Sequence, residues 1–300
     1  MTQYPNFKGL YVFNGGNGSQ LKDNPSIAGT YLGFYWAQIE KSPGIFDWSI
    51  VETAMAPWVA SGKKAIVRLS TCAWKKWQPQ QDSGHATPQW VYDQGVGHIV
   101  EDDGAVKPQY WHPHFLDNFA FFVATFAAKY DGDPRIAAIE IGVGDGGETK
   151  PDTRNNPNRL SLWKKIGYTD KIWWETIQTI ILMYKKSFVK SQLVIMPDAT
   201  FIGGTTGYNM AMVTDYAIKE GIGLQNNGII TGQKPIPQSW HGVMIISEQR
   251  LPTSQSHESL DSDIKMALDE GSTYMLCFLE DLANPKNASL LAKYAAMVKA

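Results

Sequence analysis

A regular alternation of short apolar runs with amphipathic helical patterns is the feature of this sequence that most limits how the chain can fold. Eight runs of four to eight residues are rich in apolar side chains. Runs of this kind are typical of strands that are buried on both faces of a parallel sheet. The predicted strands are residues 9–13, 29–36, 64–70, 136–143, 192–197, 222–225, 242–247 and 273–279.

Helical patterns occupy most of the segments between these runs. One pattern begins at Asp47, a residue type that caps helix N-termini, and is followed by Gly62, a residue type that commonly follows a helix C-terminus. Another places its phenylalanines at i, i+3 and i+4 spacing, so that they share one face of a helix. The predicted helices are residues 47–60, 113–130, 170–188, 210–219, 259–270 and 288–298.

Strands that alternate with helices along the whole chain indicate an α/β fold with a parallel sheet. Eight strands in 300 residues favour closure of that sheet into a (β/α)8 TIM barrel over a doubly wound open sheet. The first strand is not followed by a GxGxxG motif, which argues against a dinucleotide-binding fold. Since no linker or repeat interrupts the pattern, we expect residues 1–300 to form a single barrel domain.

The composition argues against several classes of partner. The net charge is −2, so we expect no basic surface that would neutralise the phosphates of a nucleic acid. No run of about 18 or more apolar residues occurs, so we expect no membrane-spanning helix. Cys72 and Cys277 lie far apart at predicted strand ends. This placement favours two buried free thiols over a disulfide or a metal site.

The sequence predicts neither a cofactor nor a secretion signal. His112 and His114 flank a proline at a predicted helix start, and His85 lies in a loop. This spacing matches no metal-binding motif, so we expect no metal ion. The first residues contain no basic region followed by an apolar stretch, so no signal peptide is visible. Localisation stays open between the cytoplasm and secretion of a chain that has lost its leader.

The active sites of barrels of this kind lie at the C-terminal ends of the strands and in the loops that follow them. Here the residues at these ends are mostly polar, and several are acidic. The two longest connections, residues 71–112 and 149–169, also follow strands and should border this face. The strand-end residues are Asn14, Trp36, Arg68, Asp145, Glu148, Asp198, Asn226, Asn227, Glu248, Glu280 and Asp281.

Glu148 and Glu248 are the predicted catalytic pair. After the fourth strand, glycines let the chain bend sharply, so that Glu148 is projected from the barrel mouth. Glu248 ends the seventh strand on its interior face. Cleavage of a glycosidic bond requires one protonated carboxyl group and one ionised carboxylate, which acts as nucleophile or as base. A single strand-end Glu is simply explained as a solvated side chain, but two on facing strands favour a site.

Aromatic and polar side chains around this face are predicted to bind a sugar. The chain has 11 Trp, and an indole ring packs well against the apolar face of a pyranose. We therefore predict Trp36, Trp74 and Trp111 as stacking platforms, with core packing as the alternative. Arg68 either contacts the substrate or forms a buried ion pair with Glu140. The other predicted substrate-binding residues are Asp145, Asp198 and Asn226.

Several segments resemble the β-galactosidase-like glycoside hydrolases of the large retaining (β/α)8 clan. Residues 29–48 contain a Trp, then a Glu, then the motif PGIFDW, like the second-strand segment of that family. Residues 62–69 resemble its third strand, and residues 281–287 resemble its closing segment. Residues 130–148 contain YDGDP, IEIG and a terminal GE pair. The similar segments are spread over most of the chain.

The resemblance implies that Glu148 is the acid/base group at the end of strand four and that Glu248 is the nucleophile at the end of strand seven. Family members usually carry Asn directly before the acid/base Glu, where it helps to hold the sugar 2-hydroxyl. Here Gly147 occupies that position. The candidates for replacing this contact are Asn226, Asn227 and Asp145.

We therefore expect a glycoside hydrolase that cleaves a β-glycosidic bond of an oligosaccharide or polysaccharide with retention. The glycine in place of Asn keeps open an alternative of another class, a carbohydrate-binding barrel without turnover. A third alternative is another barrel enzyme, such as a lyase or a metal-dependent hydrolase. Fold alone does not decide among them. Sugar binding without product would favour the second, and inhibition by a chelator would favour the third.

Overall fold

The computed structural model describes residues 4–13, 18–72, 85–102, 104–152, 157–198, 208–229, 236–256 and 258–299. Within these ranges the chain alternates between strands and helices. The strands are β1 (Gly9–Phe13), β2 (Ile27–Tyr35), β3 (Glu40–Ser42), β4 (Ile45–Phe46), β5 (Lys64–Ser70), β6 (His98–Val100), β7 (Val106–Pro108), β8 (Ile136–Ile141), β9 (Leu193–Ile195), β10 (Gly223–Ile229), β11 (Ile245–Gln249) and β12 (Tyr274–Phe278).

Eight of these strands close into a barrel. Going round it, β1 is followed by β12, β11, β10, β9, β8, β5 and β2, and β2 pairs with β1 again. Neighbouring strands are parallel throughout, as in the pairing of β2 with β5 over seven residues. The predicted (β/α)8 TIM barrel is therefore confirmed. The short strands β3–β4 and β6–β7 form two antiparallel hairpins outside the barrel, which the sequence analysis did not predict.

Helices surround the barrel and cover the outer faces of its strands. In the described residues they are α1 (Trp36–Ile39), α2 (Ser49–Ala60), α3 (Gln89–Tyr92), α4 (Pro113–Tyr130), α5 (Pro157–Lys165), α6 (Asp170–Ser187), α7 (Met210–Lys219), α8 (Leu260–Asp269), α9 (Leu279–Ala283) and α10 (Ala288–Lys299). The six longer helices that were predicted are present within two residues of their expected ends. Side chains cap several of them, as where Thr169 accepts a hydrogen bond from the Ile172 amide at α6 (3.0 Å).

The predicted aromatic face of α4 forms the centre of the largest core cluster. Phe115, Phe119 and Phe122 are fully buried and pack around Trp36 with ring centroids 5.4–6.0 Å apart. Burial of a large apolar side chain contributes roughly 1.5–3 kcal/mol, so this cluster is a main attachment of the helix layer to the sheet. Cys72 and Cys277 are buried and neither takes part in a disulfide bond, as predicted.

The strand ends differ from the predicted ones at places that matter for the site. β2 stops at Tyr35, and the chain turns directly into α1, so that Trp36 begins a helix instead of ending a strand. β11 continues through Gln249, which places Glu248 inside the strand. None of the described helices has the length and apolar character needed to cross a membrane.

Candidate functional site

Glu248 lies on the interior face of the barrel, near the C-terminal end of β11. The pattern of β11 explains this position, because Ile246 and Glu248 share one face of the strand. Ile246 is fully buried below, and Glu248 is part-exposed above it. The amide of Gln225 on β10 donates a hydrogen bond of 2.8 Å to the Glu248 carboxylate. Glu248 is thus fixed by its own strand and by the neighbouring one.

A part-buried ion pair lies across the barrel from the strand that carries Glu248. Arg68 on β5 and Glu140 on β8 face each other in register, and Arg68 Nη1 lies 3.5 Å from Glu140 Oε1. The guanidinium also lies 5.3 Å from the centroid of the Tyr31 ring, at a distance where cation–π attraction acts. The interpretation of Arg68 and Glu140 as an interior ion pair is therefore confirmed.

The surroundings of Glu248 favour its protonated form. Burial raises the pKa of Glu248 to about 8, and the nearby carboxylate of Glu140 adds to this rise. Arg68 and the Gln225 amide oppose it, because both stabilise a negative charge. Burial also raises the pKa of Glu140, although Arg68 works against that rise. In the barrel interior, burial thus favours the protonated forms of Glu248 and Glu140, and Arg68 favours their ionised forms.

Glu148 stands on a tight turn that follows β8. The amide of Gly144 donates to the carbonyl of Glu148 (2.9 Å), and the amide of Gly147 donates to the carbonyl of Gly144 (3.0 Å). Gly146 and Gly147 both have positive φ angles, 65° and 85°. Such angles are readily adopted by glycine and cost energy in most other residues. The glycine-rich sequence before Glu148 is thus explained by the shape of this turn.

Arg68 explains why Gly147, and not Asn, precedes Glu148. A Cβ atom at position 147 would lie 2.6 Å from Arg68 Cδ and 2.8 Å from Arg68 Nη1. Arg68 Nη1 also donates to the carbonyl of Gly146 at 2.5 Å. The guanidinium therefore fills the volume that a side chain at position 147 would need, and it ties β5 to the turn that carries Glu148.

Two donors reach the Glu148 carboxylate. Asn227 on β10 donates a hydrogen bond from its amide, and Lys150 forms an ion pair with it. Lys150 also contacts Asp198, with 2.5 Å between Nζ and Oδ2. The Glu148 side chain is about one-tenth exposed, so solvent screens these contacts only in part. In contrast to Glu248, Glu148 is surrounded by groups that stabilise its ionised form.

One strand contacts both glutamates. Gln225 donates to Glu248, and Asn227 donates to Glu148. Residues two apart on a strand point to the same face, and they lie about 6–7 Å apart along it. The amides of Gln225 and Asn227, two residues apart on β10, therefore contact one glutamate each near the C-terminal end of the barrel.

A buried network of charged side chains includes Asp145, the first residue of the turn that leads to Glu148. Lys107, at the β6–β7 hairpin, is fully buried and lies 3.0–3.2 Å from the carboxylates of Glu101, Asp145 and Asp152. Arg159 on α5 pairs with Glu101 and with Asp152. Since isolated buried charges are costly, the complete set of partners is what makes this arrangement tolerable. The network joins the loops that follow β5 and β8.

Three predicted substrate-binding residues have buried side chains, and the expectation that they are open to a substrate is corrected. Trp36 is fully buried, and its indole N–H donates to Glu40 at 2.7 Å. Trp111 is 9% exposed and packs against other aromatic rings outside the barrel. Asp145 is fully buried and belongs to the Lys107 network. A side chain covered by protein offers no surface to a sugar.

Asn226 is also corrected, for a reason that lies in the strand itself. It is the residue between Gln225 and Asn227, so its side chain points to the outer face of β10, where its amide donates to Glu270 at 2.9 Å. Asp198 is part-exposed and contacts Lys150, and its contact with a substrate stays a prediction. Trp74 lies outside the described residues.

Sequence reasoning missed Gln225 and Lys150 as parts of the site. Gln225 ended a predicted strand, and the alternation that places it inward was readable once β10 was known to continue to Ile229. Lys150 gave no signal, because a lysine in a loop is ordinarily solvated. Within the described residues, no group of three or more His, Cys, Asp or Glu side chains is arranged to hold a metal ion.

Comparisons with known proteins extend these observations at the level of the fold. No protein-family model matches the sequence, and no curated protein sequence matches it either. Endo-glycoceramidase II from Rhodococcus sp., in a cellobiose-like imidazole complex, has a similar structure, with 11% identity, a TM-score of 0.55 and coverage of 92% of this chain and 73% of that one.

Two further solved structures are similar. For GH10 from Paenibacillus barcinonensis, the identity is 16% and the TM-score 0.51, covering 92% of this chain and 84% of that chain. For β-galactosidase from the psychrophilic Marinomonas ef1, the identity is 12% and the TM-score 0.48, and the match covers 74% of this chain and 40% of that chain. The chain therefore spans less than half of that β-galactosidase. The similarity to endo-glycoceramidase II and to GH10 agrees with the predicted barrel fold.

Proposed function

We propose that this protein is a glycoside hydrolase that cleaves a β-glycosidic bond with retention. One observation carries the proposal: Gln225 and Asn227, on one face of β10, donate to Glu248 and to Glu148 respectively. Two carboxyl groups held at a common interior surface are what glycosidic cleavage requires. The similarity of the barrel to those of endo-glycoceramidase II and GH10 supports the same assignment.

In this proposal Glu248 is the nucleophile and Glu148 is the acid/base group. Glu248 attacks the anomeric carbon as a carboxylate, while Glu148 gives its proton to the oxygen of the leaving group. Glu148 then removes a proton from water, which attacks the glycosyl–enzyme bond and releases the sugar. Arg68 and the Gln225 amide stabilise the ionised form of Glu248. Both are therefore assigned to limit the rise in the pKa of Glu248 that burial causes, so that the carboxylate needed for the attack can form.

The proposed substrate is an oligosaccharide or polysaccharide. Arg68 and Asp198 are the proposed binding residues, because Arg68 donates to the turn that carries Glu148 and Asp198 contacts Lys150 beside Glu148. Sugar hydroxyls both donate and accept hydrogen bonds, so a guanidinium and a carboxylate at the same mouth suit them. Stacking by Trp74 stays part of the proposal.

The test compares wild type with Glu148→Gln and Glu248→Gln on a panel of aryl β-glycosides and natural oligosaccharides, with detection of the released sugar. We expect turnover by wild type to fall by at least about a thousandfold in each variant. Glu175→Gln, on the exposed surface of α6, is the matched control and should keep wild-type activity. Turnover that survives both active-site changes would overturn the assignment of the pair.

The stereochemistry is tested separately with proton NMR of the first product formed. Retention predicts that the β-anomer appears before mutarotation mixes the anomers, whereas inversion would give the α-anomer first.

A carbohydrate-binding barrel without turnover is the second candidate. It is favoured by one observation, the contact of Lys150 with Glu148, because this contact opposes the proton that an acid must carry. Measurable sugar affinity together with no product from any substrate of the panel would support this candidate over hydrolysis.

A further inference from the structure

The backbone around Lys150 is held by hydrogen bonds, and its side chain reaches the carboxylates of Glu148 and Asp198. The carbonyl of Lys150 accepts a hydrogen bond from the Asp145 amide at 2.8 Å, and a Cβ at Gly144 would lie only 2.1 Å from that oxygen. The preceding residue, Thr149, donates its amide to Met196 at 3.1 Å. The segment is therefore attached to its own turn through Asp145 and to the residue that follows β9 through Met196, so a displacement of the ammonium is expected to come from side-chain rotation.

The ammonium of Lys150 is shared between two carboxylates. It contacts Glu148, and it lies 2.5 Å from Asp198 Oδ2. Lys150 is 13% exposed, whereas Asp198 is 32% exposed and closer to solvent. The backbone of Asp198 is also held in place, because its amide donates a hydrogen bond to the hydroxyl of Thr149 at 2.9 Å. A sheltered cation thus has two anionic partners, both held at fixed backbone positions.

This geometry conflicts with the proposed role of Glu148 in the resting site. A neighbouring ammonium favours the carboxylate form, but an acid must be protonated before it can act. The other charged side chains facing this turn do not remove the conflict: Arg68 from β5 is also a cation, and Glu248 from β11 faces the same β10 surface. Asp198 is the acceptor within reach that can take over the ammonium.

We propose that Lys150 is a positioning residue that alternates between Glu148 and Asp198 during the reaction. The proposal rests on the assigned role of Glu148 as acid/base group. When Glu148 takes up a proton from solvent, Lys150 keeps its own protons and pairs with Asp198. When Glu148 has given that proton to the leaving oxygen, Lys150 returns to the new carboxylate. The ammonium thereby follows the negative charge through the cycle.

The test measures the protonation of Glu148 directly and does not need turnover. Protein labelled with 13C at the glutamate carboxyl carbons is titrated by NMR, and the Glu148 signal is identified by its loss in Glu148→Gln. We expect Lys150→Met to move the midpoint of this titration upward by about one pH unit, because the stabilising cation is gone. We expect Asp198→Asn to move it downward, because the ammonium then has Glu148 alone as its partner in this pair.

Opposite shifts in these two variants are the result that a merely structural role of Lys150 would not give. Lys186→Met, on the exposed surface of α6, removes the same charge from a distant place and should leave the midpoint unchanged. Lys150→Arg should restore most of the wild-type value. A midpoint that is unmoved in Lys150→Met, or that moves in the same direction in both variants, overturns the proposal.

If the panel described above finds a substrate, the pH profile of kcat/KM gives an independent reading. The loss of rate at high pH reports deprotonation of the acid group in the free enzyme. We expect this limb to move to higher pH in Lys150→Met and to lower pH in Asp198→Asn. A wild type without turnover would contradict the proposed function, while the NMR titration would still decide whether Lys150 is shared as described.

Discussion

The turn that carries Glu148 and the end of β11 that carries Glu248 hold the same functional group by opposite means. Glu148 stands on an irregular turn among donors, Lys150 and Asn227. Glu248 stands on a regular strand, where burial and Glu140 raise its pKa to about 8. Donors thus surround the Glu148 carboxylate, whereas burial and a neighbouring carboxylate favour the protonated form of Glu248. A carboxyl group's place in the fold therefore does not fix its protonation, which its neighbours from other segments decide.

The largest expected effect comes from removing the buried cation that holds Asp145 in the Glu148 turn. Lys107→Met leaves Glu101, Asp145 and Asp152 with one cation fewer in a buried setting. Removing one member of a buried ion pair typically costs about 3–5 kcal/mol, and we expect a loss of this size in the free energy of unfolding. Urea denaturation measures it.

Lys164→Met on the surface of α5 provides the control for that experiment, with an expected change below about 0.5 kcal/mol. A loss in Lys107→Met no larger than that of the control would show that the turn does not depend on the buried network.

The steric side of the contrast is tested by two neighbouring glycines. Gly147→Asn places a Cβ 2.6 Å from Arg68 Cδ at a φ of +85°, so Arg68 and Glu148 must move. We expect a loss of about 1–3 kcal/mol in stability and of at least about a hundredfold in kcat/KM. Gly146 has a similar φ of +65° with nothing within 4 Å, and Asn adopts such angles more readily than most residues, so Gly146→Asn should change both quantities much less than Gly147→Asn. Equal effects in the two variants would contradict the role given to Arg68.

The electrostatic side of the contrast appears in the pH dependence of stability. Folded Glu248 keeps its proton up to about pH 8, whereas the unfolded side chain loses it near pH 4.3. The folded state therefore binds more protons in this window, and stability falls as the pH rises, by at most about 1.4 kcal/mol per pH unit. Glu248→Gln abolishes this contribution, so the variant should gain stability relative to wild type from pH 5 to pH 8. Parallel curves in denaturation experiments would refute it.

The smallest expected effect on stability is that of removing Asn227, the amide donor to Glu148. Asn227→Ala removes a hydrogen bond at a part-exposed place, and its loss should cost less than about 1 kcal/mol. Gln225→Ala removes the corresponding donor from Glu248, where the 2.8 Å bond opposes the raised pKa. We expect the window in which Glu248 titrates to move to higher pH in Gln225→Ala but to stay in place in Asn227→Ala. NMR titration of the labelled carboxyl groups distinguishes the two.

The fold was readable from the sequence because strand periodicity and helix caps are local signals. The eight apolar runs gave the barrel, and α4 and α7 have their predicted ends. The position of Glu248 was equally readable, since alternation along β11 assigns it to the interior face. A local pattern suffices wherever one element alone decides the direction of a side chain.

The parts of the site that were not predicted depend on contacts between distant segments. Trp36 was expected at the mouth, but β2 ends one residue earlier than predicted, and the indole turns into the helix layer. Asp145 was expected to face a sugar, but Lys107 from the β6–β7 hairpin forms a buried ion pair with it. Neither the hairpin nor its lysine carries a sequence signal for that partnership. Only the packed structure reveals such pairs.

The two amides of β10 have a consequence for how this site tolerates change. Because Gln225 and Asn227 belong to one strand, their spacing is set by backbone geometry and not by the loops that surround the mouth. Insertions and substitutions in loops other than the turn that carries Glu148 can alter which molecules enter while Gln225 and Asn227 keep their contacts with the two glutamates. The contacts to the glutamates thus come from a barrel strand, whereas ligand selection depends on the surrounding loops, so different ligands can be accommodated while the chemistry stays the same.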